Sequence, residues 1–188
     1  MRTLAVFARS VLAGALAGAG AGLLVGGVGG RLAMLLLRLT SPDVVLGLTS
    51  DDGFEIGVVS TRTLVFVLEM TVAGAVPGAA YGALRLGLPS RLRLPLWTLA
   101  CAAFFGQAVV HEDGIDFTLL EPVGLAVALF VALPAAWAAL VVALVERSLR
   151  RVRPARVPRA LLRVVPVVLV GAAIFAAVGL ADTVSRLG

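Results

Sequence analysis

Five long runs of apolar residues, separated by short polar segments, set the pattern of this chain. The runs cover residues 10–31, 64–84, 95–110, 122–145 and 164–181. Each is close to the ~20 residues that an α-helix needs to cross a bilayer. Backbone groups in lipid must pair within their own segment, so each run is predicted to be helical. The pattern predicts an all-α, polytopic transmembrane helical bundle of about five spans in one membrane domain, residues 1–188.

The first two runs carry glycines at every fourth position. Residues four apart lie on one face of an α-helix, so these glycines form a stripe without side chains. Such a stripe lets a second helix approach closely in a membrane. The two glycine stripes consist of Gly14, Gly18, Gly22, Gly26 and Gly30 in the first run and Gly74, Gly78 and Gly82 in the second. We predict that they join helices, either within one chain or between two chains.

Spans one and two resemble spans three and four. The segments DDGFEI (51–56) and EDGIDF (112–117) share one pattern, and each is followed by a span with a proline near its middle. This predicts two parallel helical-hairpin repeats plus a fifth helix; independent use of Asp-Gly turns is the alternative. Pro77 and Pro134 each remove a helical hydrogen bond, so both are predicted kinks, as hinges or as static bends.

The charge of the polar segments alternates along the chain. Acidic loops follow the first and third runs, whereas the other polar segments are rich in arginine. These arginines are Arg2 and Arg9, then Arg85, Arg91 and Arg93, then the seven from Arg147 to Arg163. The positive-inside rule therefore predicts a cytoplasmic N-terminus and an outside C-terminus in a bacterial cytoplasmic membrane. A cleaved signal peptide is the alternative for the first run, but its apolar residues continue to Gly30 without a polar region.

Composition supports the membrane assignment. The chain is 60% hydrophobic and 14% charged, with a mean hydropathy of +1.05, which exceeds what soluble domains carry. The net charge of +5 resides in membrane-flanking segments. It therefore predicts contact between the arginines from Arg147 to Arg163 and anionic lipid headgroups, not nucleic acid. The single cysteine, Cys101, excludes an intrachain disulfide.

An ionisable residue at membrane depth is the best pointer to a functional site. Glu69 lies about five residues, or ~8 Å, inside the outer end of the second run. Gln107 and His111 are four residues apart and share a helix face at the same predicted level. One interpretation is an outward-facing polar vestibule that binds a metal ion, another cation or a proton.

The other interpretation is an ion-pair cluster. Arg31, Arg38 and Arg62 lie near the predicted outer level, and any of them can neutralise Glu69. We favour this interpretation over the vestibule. It predicts that Glu69 is buried against Arg31, because the glycine stripe brings the first helix close to the second.

The sequence has no HExxH, GxSxG, Walker, dinucleotide-binding or CxxC motif. We therefore expect no enzymatic activity, no cofactor and no metal site. The favoured function is a non-enzymatic membrane component that acts by association, as a homo-oligomer or as a subunit beside a membrane-protein partner. The alternative is a small channel or transporter that uses an outward-facing acidic vestibule and the two proline kinks.

Two short segments carry a family resemblance. The segment GRLAM (30–34), followed by TSDDGFEIG (49–57), resembles uncharacterised small polytopic membrane proteins of actinobacteria. The likeness extends over roughly the first half of the chain, with a weaker echo between Asp113 and Pro134. The resemblance implies a small polytopic protein located in a bacterial membrane. It implies no activity and no site residue.

Overall fold

The computed structural model describes residues 2–42, 61–111, 121–151 and 158–187. Within these ranges every long element is a helix. The elements are α1 (Arg2–Ala21), a π-helical segment (Gly22–Gly29), α2 (Gly30–Thr40), α3 (Thr61–Leu84), α4 (Ser90–Val109), α5 (Val123–Ser148) and α6 (Arg159–Leu187). A 3₁₀ turn, Arg85–Gly87, follows α3 directly.

Five stretches are long and apolar enough to cross a membrane. They are Leu4–Thr40, Thr61–Gly87, Ser90–Val109, Val123–Ser148 and Ala160–Leu187. The predicted all-α transmembrane bundle with five spans is thereby confirmed, and its five apolar helices indicate a multi-pass membrane protein. The segments DDGFEI and EDGIDF lie outside the described residues, so the internal repeat stays a prediction.

Successive spans run in opposite directions, which gives the bundle two ends. One end holds the start of α1, the α3–α4 connection and the contact of Gly87 with Val165 of α6; we call it the Arg85 end. The opposite end, the Thr40 end, holds a cluster around Leu37, Val110 and Ala126. α1 packs mainly on α3, and α4 packs on α5 and α6.

The first span is longer than predicted. Its apolar run was expected to end at Arg31, yet the helix continues to Thr40. The added turns are stabilised by packing, because Ala33 and Leu37 are buried. The Thr40 side chain also donates a hydrogen bond to the Glu121 carbonyl at 2.8 Å, just before α5. Tertiary contacts therefore extend the helix past the arginine.

A π-helical segment interrupts the first span at Gly22–Gly29. Four of its eight residues are glycine, and π-helical geometry is rare beyond a single turn. The segment changes what the stripe contacts. Beyond Gly22, a Cβ built on Gly26 would lie 3.3 Å from the Met70 side chain, and one built on Gly30 would lie 3.6 Å from the Phe66 ring. These two glycines therefore meet side chains of α3 instead of its backbone.

The glycines before this segment meet the second stripe directly. A Cβ built on Gly14 or Gly18 would overlap the carbonyl oxygen of Gly78 or Gly74, and one on Gly82 would overlap the carbonyl oxygen of Ser10. The two helices are thus in contact through their backbones over several turns. Within this chain the stripes form the interface between α1 and α3.

Trp137 of α5 packs against the interface between α1 and α3. Its indole Nε1–H donates a hydrogen bond to the Gly18 carbonyl oxygen at 3.1 Å. The same nitrogen lies 3.1 Å from the position that a Cβ on Gly74 would occupy. The ring belongs to the main core cluster together with Tyr81, Trp97 and Val141. One tryptophan therefore ties α5 to both glycine-bearing helices.

Two buried tryptophans allow this bond to be tested. Trp97 and Trp137 are equally exposed, at 6% each, but Trp97 Nε1 has no hydrogen-bond partner among the described residues. We expect Trp137→Phe to lower the free energy of unfolding by about 1 kcal/mol more than Trp97→Phe, because only the former loses a hydrogen bond. Thermal unfolding in detergent, followed by circular dichroism, measures the difference. Equal losses would contradict a stabilising role for the Trp137 bond.

Pro77 and Pro134 lie inside continuous helices, α3 and α5. Both have neighbours that pack against another helix. Gly78 packs on the α1 backbone, and Trp137, three residues after Pro134, bonds to Gly18. This packing favours static bends that fit the bundle over a pair of hinges.

Candidate functional site

A polar network lies at the Arg85 end, where α1, α3, α4 and α5 meet. Its centre is Glu146, near the end of α5. Tyr81 reaches it from the last turn of α3, Arg85 from the turn that follows and Arg93 from the first turn of α4. These four residues and Ser10 of α1 form what we call the Glu146 network.

Glu146 accepts four hydrogen bonds. Arg85 donates from Nε to Oε1 at 2.8 Å and from Nη2 to Oε2 at 2.9 Å. Tyr81 donates its hydroxyl to Oε1 at 2.9 Å, and Arg93 donates from Nη1 to Oε2 at 2.8 Å. Arg85 also approaches the Ser10 hydroxyl at 3.4 Å. Bidentate arginine–carboxylate pairs of this kind are geometrically specific.

The network joins helices through ion pairs and hydrogen bonds. The side chain of Arg85 is 10% exposed and that of Glu146 is 31% exposed, so the charges are largely desolvated and paired. The oxygens of Glu146 are already occupied by three donor side chains. Its chemistry is that of a structural clamp across both helical hairpins.

Sequence reasoning missed this network. The sequence pattern identifies Arg85 and Arg93 only as topology signals and does not single out Glu146. One signal was available: Glu146 is the single acidic residue among the arginine-rich segments 85–93 and 146–163. An isolated acid among basic residues next to apolar spans indicates an ion pair, because a charge near the membrane needs a partner.

Glu69 does not have the environment predicted for it. The residue is exposed on α3, so the prediction of a buried carboxylate is wrong. None of the ion pairs among the described residues joins Glu69 to Arg31 or to another arginine. Arg31, Arg38 and Arg62 each have interactions of their own. The physical reason is rotation: α3 turns its glycine face toward α1, and Glu69 lies on another face.

Glu69 is surrounded by exposed apolar side chains. Val65, Leu68, Val72 and Val76 lie within two turns of it on α3 and are all exposed. Gly74 is the middle residue of the Thr61–Gly87 span, and Glu69 lies five residues, or about 8 Å, from it. That is well inside the ~15 Å half-thickness of a bilayer core. A carboxylate therefore lies on an apolar face of α3, in the part of the span that a bilayer core centred on Gly74 would cover.

The other predicted members of the outer cluster face different neighbours. Gln107 of α4 lies against Gly179 of α6, where an added Cβ would overlap its side-chain amide. His111 is exposed, and its Nδ1 lies 2.8 Å from the Val109 carbonyl oxygen. Gln107 thus belongs to the packing of α4 and α6, whereas α3 packs mainly on α1. The acidic residues of loops one and three lie outside the described residues, Glu121 excepted.

Comparison of the chain with protein-family models, with curated proteins and with solved structures found no match. The site is therefore defined by geometry alone. The candidate functional site is the exposed α3 surface around Glu69. The Glu146 network at the Arg85 end has a structural role, because its ion pairs join helices.

Proposed function

We propose that this protein is a non-enzymatic membrane component that acts by association with a neighbouring membrane helix through the α3 surface around Glu69. The observation that carries the proposal is the exposure of a carboxylate among apolar side chains at membrane depth. Ionisable residues in spans almost always face the interior of a bundle and have partners there. A neighbouring helix on α3 would place Glu69 in such an interior.

The membrane orientation belongs to the same proposal. The Arg85 end collects Arg85, Arg93, Arg147 and Arg163, which supports its assignment to the cytoplasmic side of a bacterial inner membrane by the positive-inside rule. Arginines at that surface would attract anionic lipid headgroups with ~1 kcal/mol each. The C-terminus is then outside, because an odd number of spans separates it from the N-terminus.

Cysteine labelling tests the orientation. In a Cys101→Ala background, we expect Gly53→Cys and Gly114→Cys to react with a membrane-impermeant maleimide from outside, and Arg153→Cys only after the cells are opened. The reason is the alternation of acidic and arginine-rich segments. Labelling of position 153 in intact spheroplasts would contradict the proposed orientation.

Photocrosslinking in native membranes tests association. A benzophenone amino acid at Val72 of α3 is expected to form a discrete adduct. The control is the same amino acid at Phe175 of α6. Both side chains are highly exposed, at 70% and 77%, and both lie near the middle of their spans. Glu69→Gln is expected to reduce the adduct at position 72.

Two outcomes would count against association through α3. One is the same adduct pattern from positions 72 and 175, which would indicate collisions in lipid. The other is no protein adduct at position 72. An affinity tag on the protein allows each adduct to be quantified by immunoblotting. This measurement distinguishes both outcomes from a discrete adduct that depends on Glu69.

A further inference from the structure

We infer that the occupant of the α3 surface around Glu69 is a transmembrane helix of a different protein that carries an arginine or lysine at the level of Glu69. The inference rests on the proposed function and names the chemistry of the partner. The surface consists of Val65, Leu68, Glu69, Val72 and Val76.

The shape and composition of this surface call for a helix. The five side chains recur at helical spacing along about three turns of α3, and each is exposed. Four of them are apolar, so they fit lipid or another apolar helix equally well. Glu69 alone distinguishes the two environments. Lipid chains offer no hydrogen-bond donor to a carboxylate, whereas a helix can carry one.

Charge complementarity makes the partner basic. Glu69 forms no ion pair with any described residue of its own chain. A carboxylate in the bilayer core is costly unless a partner neutralises it, and Arg or Lys supplies both the charge and the hydrogen bonds. The nearby arginines lie closer to the Thr40 end. Arg62 is seven residues, or about 10 Å, along the same helix.

A second copy of this chain, paired two-fold through the same α3 surface, does not supply that cation. Copies in one membrane share an orientation, so a two-fold axis along the membrane normal places identical residues opposite each other. Pairing through α3 would then bring Glu69 against Glu69. Arg31 of a second copy is also displaced in depth, because its neighbour Gly30 faces Phe66 of α3, about one turn nearer the Thr40 end than Glu69. Like charges at one level oppose association.

The test uses a defined probe and the full chain. The probe is a synthetic leucine–alanine transmembrane helix with one arginine about 8 Å from its middle, matching the depth of Glu69. Otherwise identical helices carry leucine or glutamate at that position. Energy transfer between labelled protein and labelled probe in phosphatidylcholine vesicles measures association. We expect the arginine helix to associate about fivefold more tightly than the leucine helix, in keeping with polar contacts between model membrane helices.

Variants make the result specific for Glu69. Glu69→Gln is expected to abolish the preference for arginine, and Glu69→Arg is expected to reverse it in favour of the glutamate probe. Asp182→Asn, which changes an exposed carboxylate at the end of α6, is the control and is expected to leave the preference unchanged. Reversal by charge exchange is a result that a purely structural role of Glu69 would not produce.

Three results would overturn the inference. These are equal association of the arginine and leucine helices, an arginine preference that survives Glu69→Gln, and energy transfer between copies of the chain that is lost in Glu69→Gln. The last result would identify a second copy as the occupant. Failure here is distinguishable from failure of the proposed function, because Glu69-dependent crosslinking at position 72 would still support association through α3.

Discussion

Gly78→Ala is expected to lower the free energy of unfolding by about 3 kcal/mol, the upper end of the usual cost of overpacking. The added methyl group would overlap the Gly14 carbonyl oxygen and lie 2.7 Å from Gly18 Cα. These are backbone atoms of α1, which have no rotamer to change, so the two helices must separate. Unfolding of the purified protein in mixed detergent micelles, monitored by circular dichroism, measures the change.

Gly20→Ala is the matched control. Gly20 is in α1 between Gly18 and Gly22, and a Cβ there would have no heavy atom within 4 Å. Alanine favours a helix over glycine by ~1 kcal/mol, so this variant is expected to be unchanged or more stable. Unfolding of Gly78→Ala and Gly20→Ala at the same mole fraction of denaturing detergent would contradict this prediction. The glycine stripes would then not be what allows the close approach of α1 and α3.

Glu146→Gln is expected to be the second most damaging substitution. It leaves the guanidinium groups of Arg85 and Arg93, which are 10% and 18% exposed, without their carboxylate. Removal of one partner from a fully buried pair costs ~3–5 kcal/mol. Because the Glu146 side chain is 31% exposed, water compensates in part, and we expect about 2 kcal/mol. Thermal unfolding in detergent measures the loss.

The pair between Asp182 and Arg186 provides the control for Glu146→Gln. Its side chains are 61% and 59% exposed, and exposed pairs of this type contribute ~0.5 kcal/mol or less. Asp182→Asn is therefore expected to change stability little. Adding Arg93→Gln to Glu146→Gln should restore part of the loss, because one of the stranded charges is removed. A loss for Glu146→Gln no larger than that for Asp182→Asn would contradict the importance of the network.

The two glycine stripes illustrate how far sequence reasoning reaches. Their spacing placed Gly14 and Gly78 on bare helix faces because helical periodicity is a local property of the backbone. The spacing left open whether the faces meet within one chain or between chains. The structure brings them together in one chain, and the backbone contacts of the first stripe extend from Gly14 to Gly22, the first residue of the π-helical segment. Beyond Gly22 the stripe meets the side chains of Met70 and Phe66, and no local pattern reveals these neighbours.

The candidate site was less accessible to prediction. The depth of Glu69 followed from its position in an apolar run, and this depth identified it as an unusual residue. Its surroundings did not follow, because the choice between a contact with Arg31 and an outward-facing position depends on how α3 is rotated about its axis. The close fit of Gly74 and Gly78 against α1 sets that rotation and turns Glu69 outward.

The sequence by itself determined the number of spans, their helical character and the alternating direction in which they cross. These properties follow from the length of apolar runs and from the need to satisfy backbone hydrogen bonds in lipid. Only the tertiary structure decided which charged residues meet. Glu146 pairs with Arg85 and Arg93, which are 61 and 53 residues away in the chain. Glu69, in contrast, remains exposed. Such pairings depend on the rotation and proximity of whole helices, and these are fixed by packing between residues that are distant in the chain.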